Sequence, residues 1–310
     1  MKTVLFRCDS SCIIGTGHIM RDLVLAKRYA DEGAKVIFAC RNLSGNINQK
    51  VLDKGYELEI LEDDSLKHFQ TVIDTHNPNL LIIDHYDFGY EDEKALKIKY
   101  ASLKIMVLDD TYEKHYCDIL LNHNIYAKEQ SYAGLVPPRC QLRCGARFTL
   151  LRDEFLIEKQ KGRQNKGDFE YLNVFIAMGG TDHGNLNIKI LEVLEKFSMI
   201  YPQVVTTTAN RYLSKLQYYI NNHSRFSLHI NSKKIAKLMN EADFAIVTPS
   251  VTVNEVIYLN VPFIAIKTAD NQNEMSAYLR ENNYYILEKF DRFSLEEIIN
   301  KVIGDIHCSV

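Results

Sequence analysis

The sequence predicts an α/β protein of two domains, each a Rossmann-like, doubly wound, largely parallel sheet with helices on both faces. Three observations predict this fold class. Short apolar runs rich in β-branched residues alternate with segments of helical period along nearly the whole chain, which indicates βαβ crossovers. A stretch without apolar side chains, Glu158–Asp168, interrupts the alternation halfway. The length of 310 residues suits two domains of about 150 residues each.

Apolar runs in the first half predict strands, and two intervening segments show the apolar period of a helix. The strands are predicted at Thr3–Cys8, Lys35–Cys40, Glu57–Leu61, Leu80–Asp84, Lys104–Asp109 and Ile119–Leu121, and the helices at Ile19–Ala30 and Ser65–His76. Ser65 is expected to cap its helix, because a serine hydroxyl at this position accepts a free backbone N–H group.

The segment Glu158–Asp168 combines two glycines with several basic side chains. We interpret it as an exposed linker between an N-terminal domain, residues 1–157, and a C-terminal domain, residues 169–310. A long surface loop within one domain is the alternative.

The alternation restarts after this segment. Strands are predicted at Tyr171–Ala177, Val204–Thr208, Ser227–Ile230, Phe244–Thr248 and Pro262–Lys267, and helices at Leu186–Phe197, Tyr212–Asn221, Ser232–Glu241, Thr252–Leu259, Asn271–Glu281 and Ser294–Ile303. Ser294 and Glu297 have the spacing of a capping box. Two such domains are expected to face each other across a cleft, with ligands at the carboxyl ends of the strands.

Composition excludes several classes of protein. With 46% hydrophobic and 25% charged residues, the chain is neither collagen-like nor disordered. The net charge is −3 and no dense Lys/Arg cluster occurs, so nucleic acid and membrane surfaces are not expected partners. The longest apolar runs, such as Leu80–Ile83, are far shorter than the roughly 20 residues of a membrane helix. Met1–Arg7 leads directly into a strand, so we expect a cytoplasmic protein, as a monomer or weak oligomer.

Cysteine spacing gives little support for a metal site. The chain has seven cysteines and no secretory signal, which favours reduced thiols. Cys8 and Cys12, and likewise Cys140 and Cys144, lie four apart, without the two-residue spacer of common zinc sites or a histidine at matching spacing. We therefore expect neither a metal nor a cofactor.

A glycine-rich loop follows the first predicted strand. Gly15 and Gly17 allow the backbone to approach a ligand closely, and the helix that follows directs free N–H groups at it. Met20 stands where a dinucleotide fingerprint needs its third glycine, and no P-loop motif occurs, so NAD and P-loop nucleotide sites are excluded. His18 follows the turn, where the positive helix end keeps an imidazole neutral and able to accept a proton. We interpret His18 as a functional base.

Two loops in the second half are candidate anion sites at strand ends. Met178-Gly179-Gly180 offers backbone N–H groups to an anion, although a simple turn shows the same pattern. The second loop surrounds a helix N-terminus with the polar side chains that suit a diphosphate, and its last residue is a candidate acceptor for ribose hydroxyls. These residues are Ser250, Thr252, Asn254 and Glu255. A helix cap beside a dipole-favoured glutamate is the alternative.

The remaining candidates are less specific. Asn271 and Gln272 lie in a polar loop that suits either sugar hydroxyls or an Asx cap. Tyr86 ends a strand and is a candidate for positioning substrate or water, with a packed tyrosine as the alternative. Asp9 is expected either to orient His18 or to cap its loop. Arg143 and Arg152 are expected either to neutralise phosphate or to pair with acids such as Glu154.

Together these motifs resemble the nucleotide-sugar glycosyltransferases of GT-B fold, and among large groups the transferase that adds N-acetylglucosamine to the peptidoglycan lipid precursor. The chain is more similar still to the UDP-2,4-diacetamido-2,4,6-trideoxy-β-L-altropyranose hydrolases of pseudaminic acid biosynthesis. The motifs that carry this resemblance are Phe6-Arg-x-Asp9, Ile14-Gly-x-Gly-His18-x-x-Arg21, Ile83-Asp84-His85-Tyr86, Cys117-Asp-Ile-Leu-Leu-Asn122, Arg143-Cys-Gly145, Leu151-Arg152-x-Glu-Phe155, Met178-Gly-Gly-Thr-Asp182 and Ile235-Ala-Lys-Leu-Met-Asn240.

The resemblance implies hydrolysis of a UDP-sugar by water attack at the anomeric carbon with inversion, without a metal, and use of the product in flagellin decoration. His18 matches the family's base. The implied sugar contacts are Gly15, Gly17, Arg21, Tyr86, Asn254, Asn271 and Gln272. The implied UDP contacts are Arg143, Met178, Gly179, Gly180, Ile235, Met239, Ser250, Thr252, Val253, Asn254 and Glu255, with uracil near Ile235 and Met239. A GT-B glycosyltransferase, a hydrolysing UDP-sugar 2-epimerase and a non-catalytic nucleotide-sugar binding module are the alternatives.

Overall fold

The computed structural model describes residues 2–163 and 170–308. The chain divides into two compact units, Met1–Leu150 and Leu151–Val310. Each unit contains one sheet whose described strand pairs are all parallel, with helices in the connections between strands. The predicted α/β class with two parallel-sheet domains is therefore confirmed.

The first unit has a seven-stranded sheet. Its strands are β1 (Thr3–Cys8), β2 (Lys35–Arg41), β3 (Glu57–Leu61), β4 (Leu80–Asp84), β5 (Lys104–Leu108), β6 (Ile119–Asn122) and β7 (Gln141–Cys144), and its helices are α1 (Gly17–Asp31), α2 (Gln49–Asp53), α3 (Leu66–His76) and α4 (Tyr90–Lys99). The strand order is β3-β2-β1-β4-β5-β6-β7. Connections therefore leave β1 and β4 in opposite directions, and their carboxyl ends form the switch point at which open α/β sheets bind ligands.

The second unit has a six-stranded sheet in the order β10-β9-β8-β11-β12-β13. These strands are β8 (Leu172–Ala177), β9 (Ile200–Thr206), β10 (Ser227–Ile230), β11 (Phe244–Val247), β12 (Phe263–Ile266) and β13 (Tyr285–Leu287). The helices are α5 (Asp153–Lys161), α6 (Leu186–Leu194), α7 (Leu213–Asn221), α8 (Ile235–Asn240), α9 (Val251–Leu259), α10 (Asn273–Glu281) and α11 (Arg292–Cys308). Here the order reverses between β8 and β11, so their carboxyl ends form the switch point of this unit.

Burial on both faces explains why the central strands are continuous apolar runs. In the first unit, Val4, Phe6 and Cys8 of β1 pack into one core cluster with Ile19 and Ala26 of α1. A second cluster joins β8, β9 and β11 to α6 and α11. Parallel sheets need this cover on both faces, and each deeply buried aliphatic side chain contributes about 1.5–3 kcal/mol.

Helix ends agree with the predicted caps in one case and differ in another. Ser65 Oγ accepts the backbone N–H of His68 at 3.3 Å, as predicted. The Ser294 capping box is wrong, because the last helix begins at Arg292 and the Asp291 carboxylate accepts the Ser294 N–H at 2.8 Å. Asp291 and Ser294, three residues apart, are both residue types that cap helices. The Asp291 carboxylate is the stronger acceptor, and it is the cap in the structure.

The predicted linker is only partly an exposed connection. Residues 158–161 belong to the last turn of α5, which lies in the second unit, and residues 164–169 lie outside the described part of the chain. The Asn240 amide donates to the carbonyls of Glu158 and Gly162, and the Arg163 guanidinium donates to those of Ala242 and Asn260. These contacts use backbone acceptors, which explains why a segment without apolar residues still packs on the unit.

Other differences concern short elements. β7 and β13 were not predicted; both are edge strands that are only partly buried, so they lack the buried faces that make the central strands continuous apolar runs. All seven cysteines are free thiols. Among the residues that the structure describes, no helix combines the length and the apolar character needed to cross a membrane.

Candidate active site

The switch point of the first unit brings the His18 loop beside the segment after β4. β1 pairs directly with β4, with Cys8 opposite Asp84. Ser11 and Gly15 exchange backbone hydrogen bonds of 3.2 and 2.9 Å, which close the loop between them. Gly15 has φ +87°, a conformation in which a side chain would be strained. The chain then enters α1 at Gly17, so that His18 is placed in the first helical turn.

Burial sets the protonation state of His18. The residue is 7% exposed, and burial lowers the pKa of its imidazole below 6.5, while the Asp84 carboxylate acts in the opposite direction. His18 Nδ1 lies 3.8 Å from Asp84 Oδ1, and the Tyr86 ring meets the imidazole edge-on with the two ring centroids 4.8 Å apart. Asp84 therefore favours the tautomer with its proton on Nδ1, which leaves Nε2 as a proton acceptor.

Arg21 holds Asp84 in place from the next turn of α1. Its Nε and Nη2 donate to the two carboxylate oxygens of Asp84 at 2.6 and 2.5 Å, and its Nη1 donates to Asp110 at 2.8 Å. Burial alone would raise the pKa of Asp84, but Arg21 lowers it to about 2. Arg21 is only 4% exposed and donates to two carboxylates, a role that the sequence did not predict; its contact with the sugar stays a prediction.

Asp9 does neither of the two things expected of it. Its carboxylate accepts hydrogen bonds from Arg7 and from the backbone and side chain of Arg41, and it lies 3.0 Å from His85 Nε2. The hydrogen bonds from His85 and Arg7 overcome burial and hold the pKa of Asp9 well below its usual range. This network anchors His85, the residue that precedes Tyr86, and none of these hydrogen bonds of Asp9 goes to His18.

One acidic cluster in this unit has the spacing of a metal site. Ligand atoms of Asp9, Asp64 and His85 all lie within 4.8 Å of one another. However, Arg7 and Arg41 each form ion pairs with both aspartates. Two guanidinium groups therefore supply the positive charge that a divalent cation would otherwise provide, and these residues do not fit a metal.

In the second unit, the paired glycines follow β8 as predicted. Gly179 has φ +79°, and a Cβ on Gly180 would lie 3.1 Å from Thr207 Cγ2. Thr207 Oγ1 donates to the Gly180 carbonyl at 2.8 Å. A side chain would be strained at Gly179 and would crowd Thr207 at Gly180. With glycine at both positions, no side chain of these residues covers the backbone at this strand end. Met178 is buried, with 4% exposure, so only its backbone is available to a ligand.

The loop after β11 leads into α9 in the same unit. Ser250 occupies the N-cap position, but its hydroxyl makes no capping bond and lies 3.1 Å from Thr248 Oγ1. The first-turn N–H groups of a helix have no acceptor in a preceding turn, so this end of α9 can receive an anion. Thr252 is partly exposed. Val253 and Asn254 are 0% and 1% exposed, so their side chains are buried, and their contacts with UDP stay predictions.

Glu255 is held by Arg152. Arg152 Nε and Nη2 both approach Glu255 Oε1, at 3.3 and 2.9 Å, and Nη1 pairs with Glu154. Burial raises the pKa of Glu255, and Arg152 opposes that shift. Of the two expectations for Arg152, pairing with acids is the one that the structure shows. Both hydrogen bonds from Arg152 go to one oxygen of Glu255, and Glu255 is 8% exposed.

The five remaining candidate contacts differ in exposure and in hydrogen-bond partners. Met239 is 0% exposed and packs inside its unit, whereas Ile235 is partly exposed. Arg143 belongs to the first unit, where it donates to Gln141 at 3.1 Å. The Gln272 amide binds the backbone and hydroxyl of Thr268 and so holds its own loop. Asn271 is exposed in that loop.

Sequence reasoning missed Asp110 and did not predict that Asp84 is the neighbour of His18. Asp84 ends β4, and the paired acids Asp109 and Asp110 directly after β5 were a signal that could have been used. Residue type alone does not reveal that the Tyr86 hydroxyl donates to Asp110 at 3.1 Å.

Comparisons with known proteins give one informative relative and a clear fold. No protein-family model matches the chain. The UDP-2,4-diacetamido-2,4,6-trideoxy-beta-L-altropyranose hydrolase of Campylobacter jejuni is 42% identical over 287 residues, which cover 93% of this chain and 99% of the relative.

Among solved structures, MurG of Acinetobacter baumannii has a TM-score of 0.66 at 12% identity. The match covers 98% of this chain and 91% of the MurG chain. A UDP-GlcNAc 2-epimerase of Neisseria meningitidis bound to UDP-GlcNAc has a TM-score of 0.63 at 13% identity, with coverages of 98% and 92%. At these identities the likeness shows the fold alone, which is of the GT-B type.

Proposed function

The chain belongs to the family of UDP-2,4-diacetamido-2,4,6-trideoxy-β-L-altropyranose hydrolases, and from this premise we propose that it hydrolyses that UDP-sugar to UDP and the free 2,4-diacetamido-2,4,6-trideoxy-L-altrose. The observation that carries the proposal is the 42% identity over 287 residues, a length greater than that of either unit.

The reaction that we propose is attack of water on the anomeric carbon. The water oxygen forms a bond to C1 while the bond between C1 and the UDP oxygen breaks, and the bonding electrons leave with UDP. The configuration at C1 is inverted, because water approaches opposite the leaving group. One water proton must be taken up as the new bond forms, and a neutral imidazole is suited to this step.

His18 is the proposed base. Its Nε2 accepts the proton, and Asp84 stabilises the imidazolium that results, since its carboxylate lies 3.8 Å from Nδ1. The low pKa of His18 keeps it neutral at neutral pH. Tyr86, at the edge of the imidazole, is the proposed positioning group for water or sugar. Gly15 and Gly17 contribute close backbone approach to the sugar, and Asn271 is the exposed amide proposed to contact it.

Residues of the second unit are the proposed UDP site. The bare backbone at Gly179 and Gly180 and the N-terminal turn of α9, at Ser250 and Thr252, stabilise the charge that develops on the diphosphate. Glu255 accepts hydrogen bonds from the ribose hydroxyls through the oxygen that Arg152 does not hold. Ile235 is the proposed apolar contact of uracil. These donors account for leaving-group stabilisation without a metal.

The wider setting is also part of the proposal. We place the free sugar in pseudaminic acid biosynthesis and flagellin glycosylation in the cytoplasm, as expected from the sequence motifs. A glycosyltransferase and a hydrolysing 2-epimerase are the rival activities, because both reactions are found among proteins of this fold. A non-catalytic binding module is the third alternative.

The test is UDP release by the purified protein from the altrose-configured diacetamido UDP-sugar without any acceptor. We expect UDP and free sugar in equal amounts, no acceleration by added acceptors, and much slower turnover of UDP-N-acetylglucosamine. Turnover that requires an acceptor would favour the transferase, and a product with altered configuration at C2 would favour the epimerase. Tight binding without turnover would favour the binding module.

A further inference from the structure

Asp110 lies directly beyond β5 and connects the two groups that flank His18. The Tyr86 hydroxyl donates to Asp110 Oδ1 at 3.1 Å, and Arg21 Nη1 donates to Asp110 Oδ2 at 2.8 Å. Arg21 in turn binds Asp84, whose carboxylate lies 3.8 Å from His18 Nδ1, and the Tyr86 ring touches the other side of the imidazole. The five residues form a closed ring of contacts, which we call the His18 ring.

We propose that Asp110 is a positioning residue of the hydrolysis: it turns the Tyr86 hydroxyl into a hydrogen-bond acceptor for the attacking water and holds Arg21 against Asp84. This inference rests on the proposed function and extends it to a residue in neither the glycine loop nor the β4 segment. The Asp110 side chain is 15% exposed, so it is sheltered from bulk water but close to the surface of the site.

The chemistry of a phenol explains the first part of the role. A tyrosine hydroxyl has one proton to donate, and a carboxylate can only accept. When that proton is directed at Asp110, the remaining lone pairs of the Tyr86 oxygen can only accept a hydrogen bond. An attacking water has two protons. One goes to His18 Nε2, and the other is bound by Tyr86, so the oxygen lone pair is left to face the anomeric carbon. Such positioning of the attacking water accelerates the reaction, because the reacting atoms are oriented before the bond forms.

Charge explains the second part of the role. His18 is faced by Asp84 at the end of β4, by Arg21 on α1, by Asp110 after β5 and by His85 after β4, and the Tyr86 ring lies at its edge. The negative charge of Asp110 raises the pKa of His18, against the effects of burial and of Arg21. Removing that charge therefore lowers the pKa of His18, and the acid limb of kcat/KM moves to lower pH.

Two substitutions at Asp110 separate geometry from charge. Asp110→Ala removes the acceptor and the charge, and we expect kcat to fall about tenfold with KM changed less than about twofold, because positioning acts on the transition state. Asp110→Asn keeps an acceptor oxygen and removes only the charge. We expect it to retain at least about a third of wild-type kcat, with the acid limb lowered by about half a pH unit, as for a charge near a protein surface.

A third variant tests the acceptor itself. Tyr86→Phe leaves every charge in place, so kcat should fall about tenfold while the acid limb stays where it is. The double variant Asp110→Ala/Tyr86→Phe should be no more than about twofold slower than the slower single variant, because both changes remove the same water contact. Asp87→Asn, at an exposed acid next to Tyr86, is the matched control and should change neither kcat nor the pH profile.

The outcomes separate this inference from the proposed function. If UDP release without acceptor is absent in the wild type, the proposed function fails. If the wild type hydrolyses the UDP-sugar but Tyr86→Phe keeps full kcat, the acceptor role of Tyr86 is wrong. Full activity and an unmoved acid limb in both Asp110 variants would overturn the role of Asp110. Multiplicative losses in the double variant would overturn the shared contact. Tyr86 is 51% exposed, so its variant tests the inference even if an Asp110 variant folds poorly.

Discussion

Burial and the nearby Asp84 carboxylate act in opposite directions on the pKa of His18, the proposed base. Burial lowers the pKa of the imidazole and Asp84 raises it, so the two effects balance on the side of the neutral form at neutral pH. A fully buried carboxylate would be costly without a partner, and Arg21 provides one through two hydrogen bonds. The proposed base therefore depends on Asp84 and Arg21 for its electrostatic surroundings.

His18→Ala tests this assignment. We expect kcat to fall by about 10²- to 10⁴-fold, the usual contribution of a general base. UDP should still bind with a dissociation constant within about twofold of wild type, because the proposed nucleotide contacts lie in the second unit. Single-turnover kinetics and calorimetric titration with UDP measure the two quantities. Loss of UDP affinity in this variant would contradict the division of roles between the units.

Glu255→Gln tests the ribose contact. The amide keeps the shape of the side chain but loses the charge that strengthens bonds from hydroxyl groups, so the dissociation constant of UDP should rise about tenfold. The same substitution should have little effect on binding of 2′,3′-dideoxy-UDP, which lacks those hydroxyls. Glu154→Gln, at the other acid that pairs with Arg152, is the control and should leave UDP binding unchanged. Equal losses for both nucleotides would refute the assignment to ribose.

Residue type predicted which candidate residues lie at strand ends better than it predicted their partners. His18, Gly15 and the paired glycines lie at the strand ends where the sequence placed them, and their functional roles stay predictions. The sequence did not show that Arg21 binds two aspartates or that Met239 is 0% exposed. A sequence shows which chemical groups each side chain carries. The partners of a side chain, however, depend on the strand order and on how deeply the fold buries that side chain.

At the scale of elements, the switch points explain why the candidate residues cluster. Adjacent strands β1 and β4 carry the His18 loop and Tyr86, and adjacent strands β8 and β11 carry the paired glycines and α9. Apolar runs predicted most of these strands, because a parallel sheet buried on both faces requires them. α5 was missed as an anchored helix, since Arg163 and Asn240 hold it through backbone carbonyls that leave no pattern in the sequence.

The connection between β5 and β6 contains a charged histidine that ties stability to pH. Burial alone would lower the pKa of His115, but Asp109, 3.9 Å from Nε2, and Glu93, hydrogen-bonded to Nδ1 at 2.7 Å, raise it to about 9. Relative to an unfolded value of 6.5, this shift corresponds to about 3 kcal/mol of stability. The unfolded chain loses this proton first, so the contribution is complete below about pH 6.5 and disappears as the pH rises through about 9.

We therefore expect the melting temperature of the wild type to fall more between pH 6.5 and 9.5 than that of His115→Gln. Thermal unfolding followed by circular dichroism at both pH values measures the difference. His68→Gln is the control, because that histidine is 43% exposed and pairs with an exposed aspartate. Parallel pH dependence in wild type and His115→Gln would show that the buried pair does not contribute as stated.

At the scale of the whole molecule, the proposed base lies in the first unit and the proposed leaving-group contacts lie in the second. The sequence predicted the two parallel-sheet domains and the family, because strand–helix alternation and the spaced motifs extend along most of the chain. It did not predict where α5 belongs: the units divide after Leu150, whereas residues 158–168 were expected to separate them. Charge and glycine content suggested a linker there, but hydrogen bonding to the second unit decides the boundary.

The most direct test of the central claim is hydrolysis of the diacetamido UDP-sugar in oxygen-18 water, without acceptor. Attack at the anomeric carbon predicts one labelled oxygen at C1 of the initially released sugar and none in UDP, as read by mass spectrometry at early times and compared with the label that free sugar takes up by exchange. Label in the β-phosphate of UDP would mean attack at phosphorus, and it would contradict both the role of His18 and the proposed reaction.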